Sequence, residues 1–215
     1  HYSGLGFYLC KEITEDISNQ QFDDYLYESF YKPLGISYLR FNPRDYFPVN
    51  KIIPTENDTI FRNQLLRGDV HDQGAAILGG VSGNAGLFGN SYGVAVFMQM
   101  LMNGGGYGET VYLNDTTIDF FNTYHYAADS NRRGLGFDKP LHKYEDHRTN
   151  CKDASPSSFG HSGFTGTYAW ADPENGLVYV FLSNRIYPDM NNNKLMDWDV
   201  RTNIHQLFYE AIKPE

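Results

Sequence analysis

The chain is short of cysteine, of basic charge and of long apolar runs, and each shortage removes a class of protein. Cys10 and Cys151 are its two cysteines. They are too few for a disulfide framework, and with no C-x-x-C a zinc ribbon or thioredoxin-type pair is excluded. Whether they pair with each other or stay free is open at this level. Lysine and arginine number 17 against 26 acidic residues, a formal net charge of −9. That balance argues against nucleic acid, whose phosphates call for basic residues, and against docking on anionic lipid through a basic face. No apolar run approaches the roughly 20 residues of a membrane span; the best, 94–102, is short and carries Gln99. Neither an initiator methionine nor a leader pattern stands at the start, His1-Tyr2, so a processed product or a fragment is expected.

What the chain has in quantity is aromatic side chains: 17 Tyr and 15 Phe bring aromatics to 16% of 215 residues. This excludes intrinsic disorder, and the length suits one domain, or one and a half, with a real core. Ser3 is placed to cap a first helix in which Leu5, Leu9, Ile13 and Ile17 recur every fourth residue. A second helix is predicted over 22–30, with Phe22, Tyr25, Leu26 and Phe30 on one face and Pro33 and Gly35 as its stop. Residues 40–60 hold Pro43, Pro48 and Pro54 and read as a long ordered loop held by its aromatics. Residues 68–89 carry seven glycines, as in a chain that turns closely around something.

Ser91 is placed to cap a helix through Met102 that buries Val94, Phe97, Met98 and Leu101, and Asn114 to cap another through Phe121. GLGF at 134–137 reads as a short strand. Residues 168–172 and 177–183 read as an antiparallel hairpin around Pro173-Glu174-Asn175-Gly176. Residues 200–212 read as an amphipathic closing helix with Ile204, Leu207, Phe208 and Ala211 inward. Helices first, then a hairpin and a closing helix, make a single α+β domain over 1–215 the expected organisation.

Chemistry concentrates in 159–185, FGHSGFTGTYAWADPENGLVYVFLSNR. His161-Ser162-Gly163 opens a strand of the hairpin region, and Gly163 and Gly166 remove side chains that would obstruct a ligand lying along it. An edge strand can pair with a peptide-like substrate, and one of its N–H groups can stabilise an oxyanion. Alone, these residues merely shape a turn. In context they resemble the third motif of the serine β-lactamase and penicillin-binding-protein superfamily, Lys/His-Thr/Ser-Gly, in the histidine form of the class C-like esterases and peptidases. Tyr2-Ser3-Gly4, followed by LGFYL, is similar to the second motif, a Tyr-x-Asn or Tyr-Ser-Asp/Asn that opens a helix. The spacing from Tyr2 to His161 suits class C-like members. GDVHDQGAAILGGVSGNAGLF between them resembles a signature of bacterial members, and the likeness spans essentially the whole chain.

The resemblance implies a β-lactamase/transpeptidase-like α+β fold, an antiparallel sheet flanked by helices, incomplete on its N-terminal side. It implies acyl transfer to water on a β-lactam, an ester or a peptidoglycan peptide. Tyr2 would carry the proton, His161 would orient the leaving group or substrate carboxylate and tune Tyr2, and the Phe164 N–H would form half an oxyanion hole. Ser162, Gly163 and Thr165 would line the substrate. It implies no cofactor and no metal, a small-molecule or cell-wall peptide substrate, and a periplasmic or cell-envelope location.

Two features depart from the family pattern. The nucleophile motif S-x-x-K belongs upstream of the tyrosine, whereas the one such string here, Ser29-Phe30-Tyr31-Lys32, lies downstream near a helix end. The catalytic string needs its serine at a helix N-terminus, with the lysine one turn on. In the second motif, Gly4 replaces the amide or acid. The expectation is therefore the C-terminal portion of a larger domain, without acyl-enzyme activity alone. An exposed sheet edge and an uncovered apolar face would favour self-association. The alternative is a non-catalytic binding module that keeps the scaffold. Asp69, His71 and Asp72 have the residue types of metal ligands but read as packing elements, and His142 and His147 as part of a solvated loop.

Overall fold

Helix α1 (Gly4–Ser18) opens as its sequence predicts: Ser3 Oγ accepts the Leu5 N–H at 3.3 Å, and Asn19, in the left-handed region, closes the last turn onto the Glu15 carbonyl. This is the first element of a computed structural model that describes residues 3–126, 131–141 and 150–212. The chain divides into two units, His1–Gly93 with Asn184–Asn191, and Val94–Ser183 with Asn192–Glu215.

In the first unit α1 turns its leucine–isoleucine stripe outward. Its half-buried side carries Phe7, Tyr8, Lys11 and Glu15, while Leu5, Leu9, Ile13 and Ile17 are 55–82% exposed. The inward side is fixed by polar bonds: Lys11 Nζ meets Glu15 at 2.6 Å, Glu15 accepts the Phe22 N–H at 2.8 Å, and Tyr8 donates to Asp72 at 3.1 Å. Helix α2 (Phe22–Leu26) runs on into a π turn, Tyr27–Tyr31. In the loop that follows, the Arg40 guanidinium lies between the rings of Tyr27 and Tyr46, 3.2 and 4.2 Å from their centroids, and Tyr38 stacks on Phe47. The loop also contains a short hairpin that its prolines hide from sequence reading. Strand β1 (Glu56–Asp58) pairs antiparallel with β2 (Gln64–Leu66), closed by the Asp58 carboxylate, which accepts the N–H groups of Ile60, Phe61 and Arg62. What the glycine-rich stretch turns around is its own chain. A Cβ at Gly80 would strike the Asn42 amide, one at Gly83 the Phe7 carbonyl, and one at Gly74, in α3 (Gln73–Ile77), the Tyr8 hydroxyl.

Helix α4 (Ser91–Met102) crosses the unit boundary. Asn90, rather than Ser91, caps it, accepting the Gly93 N–H at 2.8 Å. Its inward side is Val96, Met98, Met100 and Leu101; of the four residues expected there, Val94 and Phe97 are only half-buried. The second unit continues with a small hairpin, β3 (Gly106–Tyr107) and β4 (Thr110–Val111), and helix α5 (Asp115–Asn122) after Asn114. Residues 134–137 form a turn rather than the expected strand, with isolated bridges joining Arg133 to Asp138 and Asp138 to Gly160.

The main sheet has the order β5 (Phe159–Ser162), β6 (Tyr168–Asp172), β7 (Leu177–Phe181), antiparallel throughout, with Gly160 opposite Trp170 and Trp170 opposite Tyr179. A short helix α6 (Lys194–Asp197) precedes the closing helix α7 (Val200–Ile212). Here too the inward face differs from the expected one. Tyr209 and His205 are buried, whereas Leu207 and Phe208 are 61% and 45% exposed. Tertiary partners decide this. The Tyr209 hydroxyl donates to Asp172 at 2.5 Å, and the His205 ring stacks on Tyr179 and lies 3.2 Å from the Tyr168 hydroxyl. Asp172 also accepts from Ser155 and Asn175. Burial alone would raise its pKa, but these donors outweigh burial and hold the carboxyl below the usual range.

Candidate active site

The third-motif segment is positioned by β5. On one side it pairs with β6, His161 opposite Ala169 and Ser162 opposite Tyr168. On the other, Asp138 has taken the backbone of Gly160: the Asp138 N–H donates to the Gly160 carbonyl at 2.8 Å and the Gly160 N–H to the Asp138 carbonyl at 3.0 Å. The strand expected to offer a free edge is therefore already paired at this point. By the alternation of an antiparallel ladder the next outward-facing peptide group is that of Ser162. Its carbonyl accepts His161 Nδ1 at 2.8 Å.

After Ser162 the chain turns tightly. The Gly163 N–H donates to Thr167 at 2.8 Å, Gly166 bonds back to Gly163 at 3.0 Å, and Arg201 reaches the Thr167 carbonyl at 3.1 Å. Phe164 stands at the tip, 59% exposed. His161, Ser162, Gly163, Phe164 and Thr165 thus share one end of β5. Tyr2, the other half of the expected constellation, lies outside the described residues. The glycines have local reasons independent of any ligand. A Cβ on Gly163 would strike the Thr167 hydroxyl, one on Gly160 the Ala169 carbonyl and the Trp170 ring, and Gly166 sits at φ +112°. In the second motif, the place of a side chain at Gly4 is occupied: a Cβ there would lie 3.0 Å from the Asn84 amide nitrogen, and Asn84 is held by Ser82 at 2.7 Å.

Four charged residues beside the motif lie outside the sequence-predicted site. Asp138 is buried, and Arg132 meets its Oδ2 at 3.0 Å. Arg133 Nη1 lies 2.7 Å from its Oδ1, a charge contact off the line of a hydrogen bond. The same Nη1 is 3.5 Å from His161 Nε2. Lys139 is buried with its ammonium on the Ser157 and Ser158 carbonyls, and burial pushes its pKa down to about 8. The signal available was the pair of charged dipeptides, Arg132-Arg133 and Asp138-Lys139, flanking an apolar tetrapeptide; charged residues beside a buried bridge must find partners.

The remaining candidates have specific neighbours. Asp69 pairs with Arg44, His71 Nδ1 lies 2.6 Å from Glu56, and Asp72 caps α3 by accepting the Ala75 N–H at 2.7 Å. Among the described residues no group of three or more His, Cys, Asp or Glu is gathered to hold a metal, and His142 and His147 lie outside those residues. In the one S-x-x-K string, Lys32 Nζ bonds Glu28 at 2.6 Å, at the end of the π turn that holds Ser29. Both cysteines are free, Cys10 exposed and Cys151 buried.

An antiparallel sheet whose first strand ends in His-Ser-Gly, backed by a C-terminal helix, defines the β-lactamase/transpeptidase-like class, and solved structures share the fold. A β-lactamase from Mycobacterium bovis aligns with a TM-score of 0.65 at 20% identity, over 99% of this chain and 64% of its own. A penicillin-binding protein homologue from Caulobacter crescentus gives 0.56 at 19% identity, over 82% and 50%. The Beta-lactamase family model matches residues 1–200, and the chain belongs to that family. Relatives from Escherichia coli K12 and Salmonella enteritidis PT4, both named "Putative D-alanyl-D-alanine carboxypeptidase", are 36% identical over 200 and 206 residues. Those matches cover 86% and 90% of this chain but 44% and 47% of the relatives, so the chain spans about half their length.

Proposed function

We propose that these 215 residues are the C-terminal portion of one β-lactamase-like serine hydrolase domain, acting by acyl transfer to water on a peptidoglycan peptide at the cell envelope. The observation that carries this reading is the His161-Ser162-Gly163 end of β5, in a chain whose relatives are named as D-alanyl-D-alanine carboxypeptidases. Tyr2 is the proton carrier, His161 orients the substrate, and the Phe164 N–H is half of the oxyanion hole, with Ser162, Gly163 and Thr165 along the substrate. β-Lactams and simple esters are the other acyl donors such a site would accept.

Alone, the chain has no acyl-enzyme activity, because Ser29 and Lys32 are not arranged as a nucleophile pair. The outward apolar stripe of α1 supports a missing neighbour, and without it this stripe, together with an exposed sheet edge, favours self-association. A fluorescent penicillin tests both arms: no covalent labelling of the 215-residue chain, and labelling of a longer parent with an in-frame S-x-x-K upstream of Tyr2. Labelling of the short chain refutes the first arm. Gly4 favours a second reading, a non-catalytic module that binds cell-wall peptide; a parent that binds such peptide but never labels establishes it.

A further inference from the structure

His161 is bracketed by two groups whose chemistry leaves no choice of role. The Ser162 carbonyl can only accept a hydrogen bond, so Nδ1, at 2.8 Å, must carry the proton. A guanidinium can only donate, so Nε2, 3.5 Å from Arg133 Nη1, must present its lone pair. Together they specify one neutral tautomer, Nδ1–H. Arg133 is held in turn: Asp138, 1% exposed, draws it in at 2.7 Å, and Asp138 is itself fixed by its two backbone bonds to Gly160, the residue before His161. The arginine, its anchoring carboxylate and the imidazole are thus tied to a single stretch of β5.

We propose that Arg133 is a positioning residue for His161, locking the ring in the Nδ1–H tautomer and in its orientation on Ser162. Both ring nitrogens are then engaged, and His161 is neither a proton shuttle nor a general base. With no ring nitrogen left for a hydrogen bond to substrate, it orients by the fixed shape of the ring and by the Arg133 cation it holds beside the motif, and proton transfer belongs elsewhere in the site. The tautomer stands on the geometry alone; its importance for turnover rests on the acyl-transfer reading above.

The test uses the 215-residue chain labelled with 15N-histidine. Long-range 1H–15N correlation spectra, assigned with His161→Gln, distinguish the two tautomers of a neutral ring by which nitrogen carries the proton. The expected result is Nδ1–H in the wild type; in Arg133→Met, which keeps the apolar stem but removes the donor, Nδ1–H stays on the Ser162 carbonyl while the Nε2 resonance moves toward that of a nitrogen accepting no hydrogen bond. An Nε2–H ring in the wild type overturns the proposal, and so does an unchanged Nε2 resonance in a folded Arg133→Met chain. Should that variant fail to fold, the wild-type spectrum still decides the tautomer, and Arg133→Leu, likewise without a donor, takes its place with the same expected outcome; Arg133→Lys, which keeps the charge but loses the planar fork, should keep part of the bond to Nε2. In a parent that hydrolyses an acyl-peptide, Arg133→Met should lower kcat at least tenfold, and the lysine variant should restore part of it. Unchanged kcat refutes the positioning role while leaving the hydrolase reading intact. An inactive wild-type parent refutes the hydrolase reading while leaving the tautomer intact.

Discussion

Acid should weaken this fold through a single buried histidine. His205 is fully buried between Tyr168, Tyr179 and Tyr209, and its Nε2 has no partner among the described residues. Burial pushes its pKa down from 6.5 to about 4, against a smaller opposing pull from the Asp172 charge. In the unfolded chain the ring takes its proton near the ordinary value; in the folded chain it resists to about 4. As pH falls from 7 the unfolded state therefore gains protons first, and stability drops; below about 4 both states are protonated and the loss levels off. The total is about 3 kcal/mol, of which about 2 falls between pH 7 and 5. Urea unfolding at these two pH values measures it. His205→Gln, which removes the titration but keeps a polar partner for the Tyr168 hydroxyl, should be less stable at pH 7 and lose about 2 kcal/mol less than wild type on going to pH 5. An equal loss in both proteins refutes the reasoning, as does an NMR midpoint for His205 near 6.5.

Two further outcomes follow from the same packing. Cys151 is 4% exposed and burial pushes its thiol up to about 12, while Cys10 is exposed. A thiol reagent at neutral pH should consume one equivalent from the folded chain and two after denaturation; a fast second equivalent in the folded state would place Cys151 at the surface. Gly160→Ala would push a methyl group into the Ala169 carbonyl and the Trp170 ring. It should cost about 3 kcal/mol, read as a lower urea midpoint, and a change below about 0.5 kcal/mol would show that β5 can move away from β6.

The elements that sequence reading recovered are those whose signals are local. The β6–β7 hairpin is written in four turn residues, and the structure adds only that the Asp172 carboxylate accepts the Glu174 and Asn175 N–H groups that shape the turn. The start of α1 is written in Ser3. The motif His161-Ser162-Gly163 was legible because neighbouring residues on one strand end must fall together. The β1–β2 hairpin was missed because Pro48 and Pro54 dominate its approach, while the residue that closes it, Asp58, works through backbone donors that leave no apolar period.

Facing is a different kind of information. The i+4 spacing in α1 marks a real stripe, but a period says that one side differs, not which side goes in. In α1 the polar side goes in, because Glu15 and Tyr8 find partners there, the Phe22 N–H and Asp72, that leucine cannot use. In α7 the same competition is won by Tyr209 and His205, whose partners Asp172 and Tyr168 lie 37 residues away in the chain. The Arg133–His161 contact, 28 residues apart, is of this kind as well. It depends on Asp138 bridging to Gly160, and no pattern within either segment encodes that pairing. A hydrophobicity period will thus misplace a face wherever a buried carboxylate or ring offers a hydrogen bond, since an unmet polar group inside costs as much as a lost apolar contact.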